Sequence, residues 1–390
     1  MIFQKPLPPI PVYLNLAMMN CFSSIAASAH AKNGLINWSP ALKAKAALLE
    51  KQLSEISNYN SFVAEVQKQA FDRLTSLVYG IEQFVDSKRP AIAPTPYKTI
   101  WQEGSTSLFD YGGSGQKIFL VPSLINRSYI LDLTEKSSLI KFLRDKGFHP
   151  FLIDWGEPGK EEKDFSVDDY VKRVVKAIDE IKGKVILTGY CMGGLMALAA
   201  AAHRQKKLKG LALLATPWDF HSEDTDRFPL THVDIEKFST LLEKMGSVPK
   251  ELIYLMFYFL DPWSVHNKYN QTHYDDESLL AREYWVHDGV PMAKKVFRNA
   301  FFDWSYYNST MEKNWKTLGK IINPAEISLP TFVGIPAYDR IVPPLCSKPL
   351  TSLIPGAHTV SCPSGHIGMI VGKNAREYLW EPMAKWLNNL

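Results

Sequence analysis

The chain of 390 residues is long enough for two to three domains, or for one large α/β domain with insertions. Its composition, 46 % hydrophobic and 22 % charged residues, excludes a disordered, collagenous or low-complexity protein. Lys and Arg outnumber Asp and Glu by 44 to 40, and the excess is spread along the chain. Because a nucleic-acid-binding protein normally shows a concentrated basic face or a recognisable motif, we expect no nucleic-acid partner.

The N-terminal segment and the cysteines indicate in which compartment of the cell the protein resides. Residues 10–27 are the most apolar stretch, but Pro11, Asn15 and Asn20 interrupt it, so no run reaches the ~18 to 20 residues that span a bilayer. We expect a cytoplasmic protein in which this segment is an apolar arm. The cysteines are too few and scattered for a disulfide scaffold, and no CxxC pair indicates zinc. They are Cys21, Cys191, Cys346 and Cys362.

Residues 39–88 are predicted to form two helices. Ser39 and Pro40 suit an N-cap and a first turn, and apolar residues then recur at helical spacing on both sides of polar turn formers at 57–61. The simplest interpretation is a helical hairpin packed against the main domain, and a surface for a partner protein or a granule is the alternative. Residues 1–96 are thus expected to be an arm and hairpin that end in a proline-rich linker.

From Tyr97 the pattern changes to alternating strands and helices. Short apolar runs that alternate with helices indicate parallel βαβ units and a sheet covered on both faces. The alternation stops at Pro217 and resumes near residue 326. The sequence therefore predicts an α/β core over 97–217 and 326–390, interrupted by one large aromatic-rich insert at 218–325. The predicted strands are 117–121, 148–153, 185–187, 211–214, 331–335 and 358–361.

The strongest local motif runs from Gly189 to Gly194, between a predicted strand and a predicted helix. It matches the nucleophile elbow G-x-S-x-G of α/β-hydrolases, with Cys191 in the serine position. Gly189 and Gly193 suit a turn too tight for side chains beside the nucleophile, and the helix N-terminus favours a thiolate. The alternative is a glycine-rich turn around a buried cysteine. The flanking strand and helix favour Cys191 as a nucleophile.

An elbow of this kind requires an acid and then a histidine later in the chain. Asp339 follows the strand predicted at 331–335, and His366 follows the next strand between two glycines. Both lie where parallel strands end, which is where open α/β sheets place their sites. A turn-forming aspartate and a core or surface histidine are the alternatives. The order and placement of the residues predict a Cys191–His366–Asp339 triad.

The loop after the strand at 117–121 is expected to complete an oxyanion hole. Backbone N–H groups of Met192, directly after the nucleophile, and of Leu124 in this loop are the predicted donors. Asn126 in the same loop is either a loop cap or a polar residue of the site.

These motifs together resemble the polyhydroxyalkanoate synthases, which have the α/β-hydrolase fold. The similarity extends from about residue 110 to the C-terminus. Lys244–Trp263 and His366–Gly372 look more like the short, two-subunit synthases, whereas Tyr190 is as in the long type. The segments that carry the resemblance are Asn126–Leu133, Ile153–Gly156, Gly189–Gly194, Ala337–Pro344 and Gly365–Gly368.

The resemblance implies acyl transfer from a 3-hydroxyacyl-CoA to Cys191 and then to a growing polyester such as poly-3-hydroxybutyrate, with no cofactor. Cysteine suits this chemistry, because thiol–thioester exchange keeps the acyl group activated. His366 would act as the base and Asp339 would orient its imidazole. The resemblance also implies that residues 218–325 form a water-excluding lid, with Trp285 near the substrate; ordinary core packing explains Trp285 equally well.

Some questions stay open at the level of sequence. A cysteine hydrolase of the thioesterase or dienelactone-hydrolase kind would have the same triad but lacks so long an insert. A degenerate granule-associated scaffold would need none of the site residues. Beyond the CoA thioester and the polyester, the partner is either a second synthase subunit or a second copy of the chain, and we expect a granule surface rather than a bilayer.

Overall fold

A computed structural model describes residues 9–38, 42–88, 90–222, 235–260 and 276–390. By their contacts these residues fall into two compact units. The first contains the described residues up to Lys88 together with Asp276, and the second runs from Pro90 to Leu260 and from Glu277 to Leu390. The expected cap at Ser39 and Pro40 lies outside the described residues.

The first unit is helical. Its helices are α1 (Ile10–Lys32), α2 (Lys43–Ser54) and α3 (Tyr59–Asp86), and α1 packs on both others. The Asn58 side chain caps α3 by accepting from the Ser61 N–H at 3.1 Å. The two helices expected between residues 39 and 88 are therefore present as α2 and α3.

The apolar arm expected at residues 10–27 is instead part of helix α1. Pro11 lies in its first turn, where the missing N–H has no intrahelical partner in any case, so this proline does not disrupt the helix. The expectation that no segment could span a bilayer is corrected too. Among the described residues, α1 alone is long and apolar enough to do so, although a signal sequence or a packed helix passes the same test.

In the second unit, eight strands of the described chain form one sheet. They are β1 (Lys98–Glu103), β2 (Thr106–Asp110), β3 (Lys117–Val121), β4 (His149–Asp154), β5 (Val185–Tyr190), β6 (Leu208–Leu214), β11 (Thr331–Pro336) and β12 (His358–Cys362). Their order in the sheet is β1-β2-β4-β3-β5-β6-β11-β12, in which the pairs β1–β2 and β2–β4 are antiparallel and the others are parallel. Every residue of β5 is buried, as expected for a strand covered on both faces.

Helices pack against the sheet. The α-helices of this core are α4 (Leu139–Asp145), α5 (Val167–Glu180), α6 (Met192–Arg204), α11 (Pro344–Ser347), α12 (Pro349–Leu353), α13 (Gly368–Val371) and α14 (Glu381–Asn388). Helix α6 packs on the neighbouring strands β5 and β6 and is buried from Met192 to Ala201. The α/β fold with a mostly parallel sheet, predicted from the sequence, is therefore confirmed.

The insert between β6 and β11 is mainly helical in its described parts. Three tryptophans of the insert pack together. Trp315 lies edge-on against Trp218 and Trp304, with ring centroids 6.2 and 5.3 Å apart. The π-helical segment Asn299–Tyr306 carries Trp304. The other elements are α7 (Ile235–Met245), β7 (Ser247–Val248), α8 (Lys250–Leu260), α9 (Glu277–His287), β8 (Met292–Ala293), α10 (Lys294–Arg298), β9 (Lys316–Thr317) and β10 (Lys320–Ile321).

Candidate active site

Cys191 occupies the sharp turn between β5 and α6. Its backbone has φ +56° and ψ −128°, a conformation that residues with a side chain rarely adopt. The Cys191 N–H donates to the Leu214 carbonyl at 2.9 Å, and the Gly194 N–H donates to the Cys191 carbonyl at 2.8 Å. Strain of this kind persists only where the surroundings hold it, and here hydrogen bonds on both sides do so.

The glycines of the motif are required by close backbone approach. A Cβ atom on Gly193 would lie 2.1 Å from the Val121 carbonyl oxygen, and one on Gly189 would lie 2.5 Å from the Gly193 carbonyl oxygen. A side chain at either position would force the strands and α6 apart. The elbow therefore sits directly against the end of β3, where the loop with Leu124 begins.

Asp339 and His366 lie in the loops that follow β11 and β12. The His366 Nδ1 and the Asp339 Oδ2 are 2.6 Å apart. The other carboxylate oxygen of Asp339 accepts from the N–H groups of Ile341 and Val342, both at 2.8 Å. With both oxygens engaged, the carboxylate has one orientation, and it fixes that of the imidazole.

The Cys191 thiol lies close enough to the imidazole of His366 for the two side chains to interact electrostatically. Burial by itself would lower the pKa of His366, but the charges of Cys191 and Asp339 and the hydrogen bond to Asp339 raise it to about 10. This shift favours an imidazolium at neutral pH. The structure thus brings together the three side chains singled out from the sequence. All three are buried, with exposed fractions of 7 % for Cys191, 4 % for Asp339 and 8 % for His366.

The two expected oxyanion donors lie on the segments that meet at the elbow. Met192 begins α6, and N–H groups in the first turn of a helix have no intrahelical acceptor. Leu124 is buried in the loop after β3. The next N–H in that loop, of Ile125, donates to the Ser123 hydroxyl at 3.2 Å. Their role as a pair of donors stays a prediction.

Asn126 and Trp285 both lie where this loop meets the insert. Asn126 forms an isolated antiparallel bridge with Gly289, and its Oδ1 is buried without a hydrogen-bond partner among the described residues. Trp285, on α9, donates its indole N–H to the Arg127 carbonyl at 2.7 Å and packs in the main core. Trp285 is thus packed in the core while Asn126 has an unused acceptor, and a substrate-binding role for either residue stays a prediction.

A set of contacts that the sequence did not reveal joins the same loop to the insert. Tyr129 donates its hydroxyl to Asp288 at 3.0 Å, and Arg127 forms an ion pair with Asp288 at 3.5 Å. We call these residues, with Trp285, the insert latch. Because Tyr129 and Asp288 are 159 positions apart, no local pattern could indicate their contact.

Two further residues near the cluster were also missed. Tyr190 contacts His366 through its ring and its hydroxyl. Cys346 is close enough for electrostatic interaction with Cys191 and Asp339, and burial raises the pKa of the Cys346 thiol to about 12. Its carbonyl accepts from the N–H groups of Trp218 and Asp219, both at 3.0 Å, so Cys346 anchors the start of the insert.

No metal centre is evident in the described part of the chain, where no group of three or more His, Cys, Asp or Glu side chains could hold an ion. The expectation of a reaction without a cofactor stays a prediction.

Comparisons with known proteins identify the class of the protein. The model of the alpha/beta hydrolase fold family matches residues 118–373, and the chain belongs to this family. Among solved structures, the thioesterase domain from the curacin biosynthetic pathway has a TM-score of 0.50 and 15 % identity, and the alignment covers 76 % of this chain and 100 % of that domain. At this identity the likeness supports the fold alone.

Two relatives of known name indicate which kind of alpha/beta hydrolase-fold protein this chain is. The chain is 27 % identical to the poly(3-hydroxyalkanoate) polymerase subunit PhaC of Haloferax mediterranei, over 84 % of this chain and 71 % of that protein. It is 28 % identical to the subunit of the same name from Allochromatium vinosum, over 83 % of this chain and 97 % of that protein. The resemblance to catalytic subunits of polyhydroxyalkanoate synthases, inferred from the motifs, is thereby confirmed.

Proposed function

We propose that this chain polymerises 3-hydroxyacyl-CoA thioesters into polyhydroxyalkanoate and releases CoA. The chain is a synthase-type acyltransferase, as its polymerase relatives indicate. The observation that carries the finer proposal is the buried cluster of Cys191, His366 and Asp339 at a strained elbow. A thiol beside an imidazole with a raised pKa is an activated nucleophile.

In the first half-reaction, the Cys191 thiolate attacks the carbonyl carbon of the thioester. A new carbon–sulfur bond forms, and negative charge develops on the carbonyl oxygen, where the Met192 and Leu124 N–H groups would stabilise it. The bond to CoA then breaks, and His366 gives its proton to the departing thiolate of CoA. The products are free CoA and an acyl group on Cys191.

In the second half-reaction, neutral His366 takes the proton from an incoming hydroxyl group. That oxygen attacks the acyl carbon on Cys191, an ester bond forms, and the Cys191 thiolate leaves. Asp339 holds the imidazole throughout and stabilises its charged form. One imidazole therefore serves as acid in the first step and as base in the second.

The choice of acceptor depends on the exclusion of water. Water at ~55 M competes with the hydroxyl of another acyl unit, whereas positioning supplies effective molarities of roughly 10⁵ M or more. The insert latch holds α9 against the loop that carries Leu124 and Asn126, which supports a covered site. Asn126, whose Oδ1 is buried and unused, is proposed to bind a polar group of the acyl unit, and Trp285 to border the same space.

The partners and location follow from this activity. The CoA thioester and the polyester are the proposed substrate and product, with no cofactor. A second synthase subunit or a second copy of the chain is the proposed protein partner, and the cytoplasm, at the surface of polyester granules, is the proposed location.

The test is incubation of the intact protein with 3-hydroxybutyryl-CoA, followed by mass spectrometry of products and protein. We expect CoA, oligomeric ester after a lag while a partner or dimer assembles, and an acyl group on Cys191. Cys362→Ala is the matched control, because Cys362 is another buried cysteine, at the end of β12. If only free 3-hydroxybutyrate forms, even with candidate partner subunits added, the chain is a thioesterase instead.

A further inference from the structure

Tyr190, the residue directly before Cys191, lies against His366. Its hydroxyl donates to the His366 carbonyl oxygen at 3.1 Å. Its ring stacks on the imidazole, with centroids 5.2 Å apart and planes inclined by 30°. The side chain is 3 % exposed, so solvent does not compete for either contact.

These contacts restrain His366 in a different way from Asp339. Asp339 holds the Nδ1 edge of the imidazole, whereas Tyr190 holds one face of the ring and the peptide group of the same residue. The peptide contact matters because His366 lies in the short connection between β12 and α13. Tyr190 therefore restrains both the loop and the ring that it carries.

We propose that Tyr190 is a positioning residue for His366, so that one strand end carries the nucleophile and the support of its base. This inference rests on the proposed function only where the acyl-transfer rate is concerned. Burial, together with the charges of Cys191 and Asp339, raises the pKa of Tyr190, so its hydroxyl stays protonated and donates. Tyr190 neither forms a bond nor transfers a proton in the proposed mechanism, and it acts through His366.

The arrangement has a geometric consequence. Cys191 and Tyr190 are consecutive residues, and their main chain is held by β5 pairing and by the Leu214 carbonyl. One rigid turn then carries both the thiol and the tyrosine that supports the imidazole, while His366 itself lies in the loop after β12. Loss of the tyrosine hydroxyl should loosen His366 without moving Cys191.

The test compares Tyr190→Phe, which keeps the ring and removes the hydroxyl, with Tyr170→Phe as a matched control. Tyr170 is equally buried, on α5, and packs against Trp155 and Phe165. Alkylation of Cys191 by iodoacetamide, located by mass spectrometry, is followed from about pH 5 to about pH 11. This measurement needs no substrate.

The expected result is a change in the alkaline limb of the profile, which reports loss of the His366 proton. In Tyr190→Phe it moves by ~0.5 unit towards lower pH, because a looser imidazole interacts less with Cys191 and Asp339. Two other titratable groups of the described residues interact with both Cys191 and Asp339: the Tyr190 hydroxyl, removed in this variant, and the Cys346 thiol, whose pKa of about 12 lies above the range. Tyr170→Phe should overlay the unaltered protein.

With 3-hydroxybutyryl-CoA, Tyr190→Phe should lower kcat about three- to tenfold and change KM less than about twofold, because the lost hydrogen bond acts on the base. If the unaltered protein released no CoA, the proposed function would fail while a shifted alkylation profile still supported the positioning role. An alkylation profile of Tyr190→Phe that coincides with that of the unaltered protein overturns the inference.

Discussion

The elbow around Cys191 and the insert that follows β6 are held in place by different kinds of contact. In the elbow, Gly193 and Gly194 have no room for any side chain, since backbone or Thr216 atoms occupy the space. The insert instead meets the core partly through side chains, and Asp288 of the insert latch holds Tyr129 by one hydrogen bond and Arg127 by one ion pair at partly exposed sites. Changes in the elbow should therefore decide whether acyl transfer occurs, and changes in the insert which acceptor is used.

The largest effect is expected from Cys191→Ala, which removes the proposed acyl carrier. CoA release from 3-hydroxybutyryl-CoA should fall to the background level, while thermal unfolding shows an intact fold. The acyl group found by mass spectrometry on Cys21, Cys346 or Cys362 of the unaltered protein would contradict the assignment.

His366→Gln should stop both acylation and transfer to the hydroxyl, because one imidazole serves in both steps. Rapid-quench measurement of acyl-enzyme and of ester product separates the two half-reactions. Normal acylation with blocked transfer would show that another group activates Cys191.

Asp339→Asn should be milder, with a loss of up to ~10⁴ in rate. The Asn oxygen can still accept from Ile341 and Val342, so its NH₂ group faces His366 Nδ1 and selects the wrong imidazole tautomer. CoA release measured in parallel for Asp339→Asn and Cys191→Ala shows which substitution lowers the rate more. Full activity would require another carboxylate, and Asp154, which accepts from the Ser128 hydroxyl, would be the first to examine.

A smaller effect, on products rather than rate, is expected from Asp288→Ala in the insert latch. It removes the contacts to Tyr129 and Arg127, each worth about 1 kcal/mol at most at a partly exposed site, so the ratio of free acid to oligomer should rise severalfold. Glu326→Gln is the control, because it breaks an ion pair outside the latch, between Lys320 in the insert and Glu326 just after it. If Asp288→Ala left the product ratio unchanged, the insert latch would have no part in excluding water from the site.

The smallest effect concerns stability. The φ of +56° at Cys191 suits glycine, so Cys191→Gly should unfold with a free energy about 1 kcal/mol higher than Cys191→Ala, although neither is active. Denaturant unfolding of the two variants checks this difference. Equal stabilities would mean that the elbow is not strained.

The elbow and the strand ends could be predicted because their signals are local. Glycines flank Cys191 within a few residues, Asp339 follows the apolar run that matches β11, and His366 follows the strand predicted at 358–361, which matches β12. The antiparallel strand β1 was missed because it is mostly exposed and lacks an apolar run. The contact from Tyr190 to His366 spans 176 positions, so only the folded sheet brings it about.

The burial of the other cysteines has a practical consequence for anyone who handles this protein. Burial raises the thiol pKa of Cys362 to about 11 and that of Cys346 to about 12, and it also raises that of Cys21. At neutral pH these three thiols remain protonated and react slowly with electrophiles. A stoichiometric electrophile should therefore count competent centres in a preparation, with one equivalent consumed per correctly folded chain.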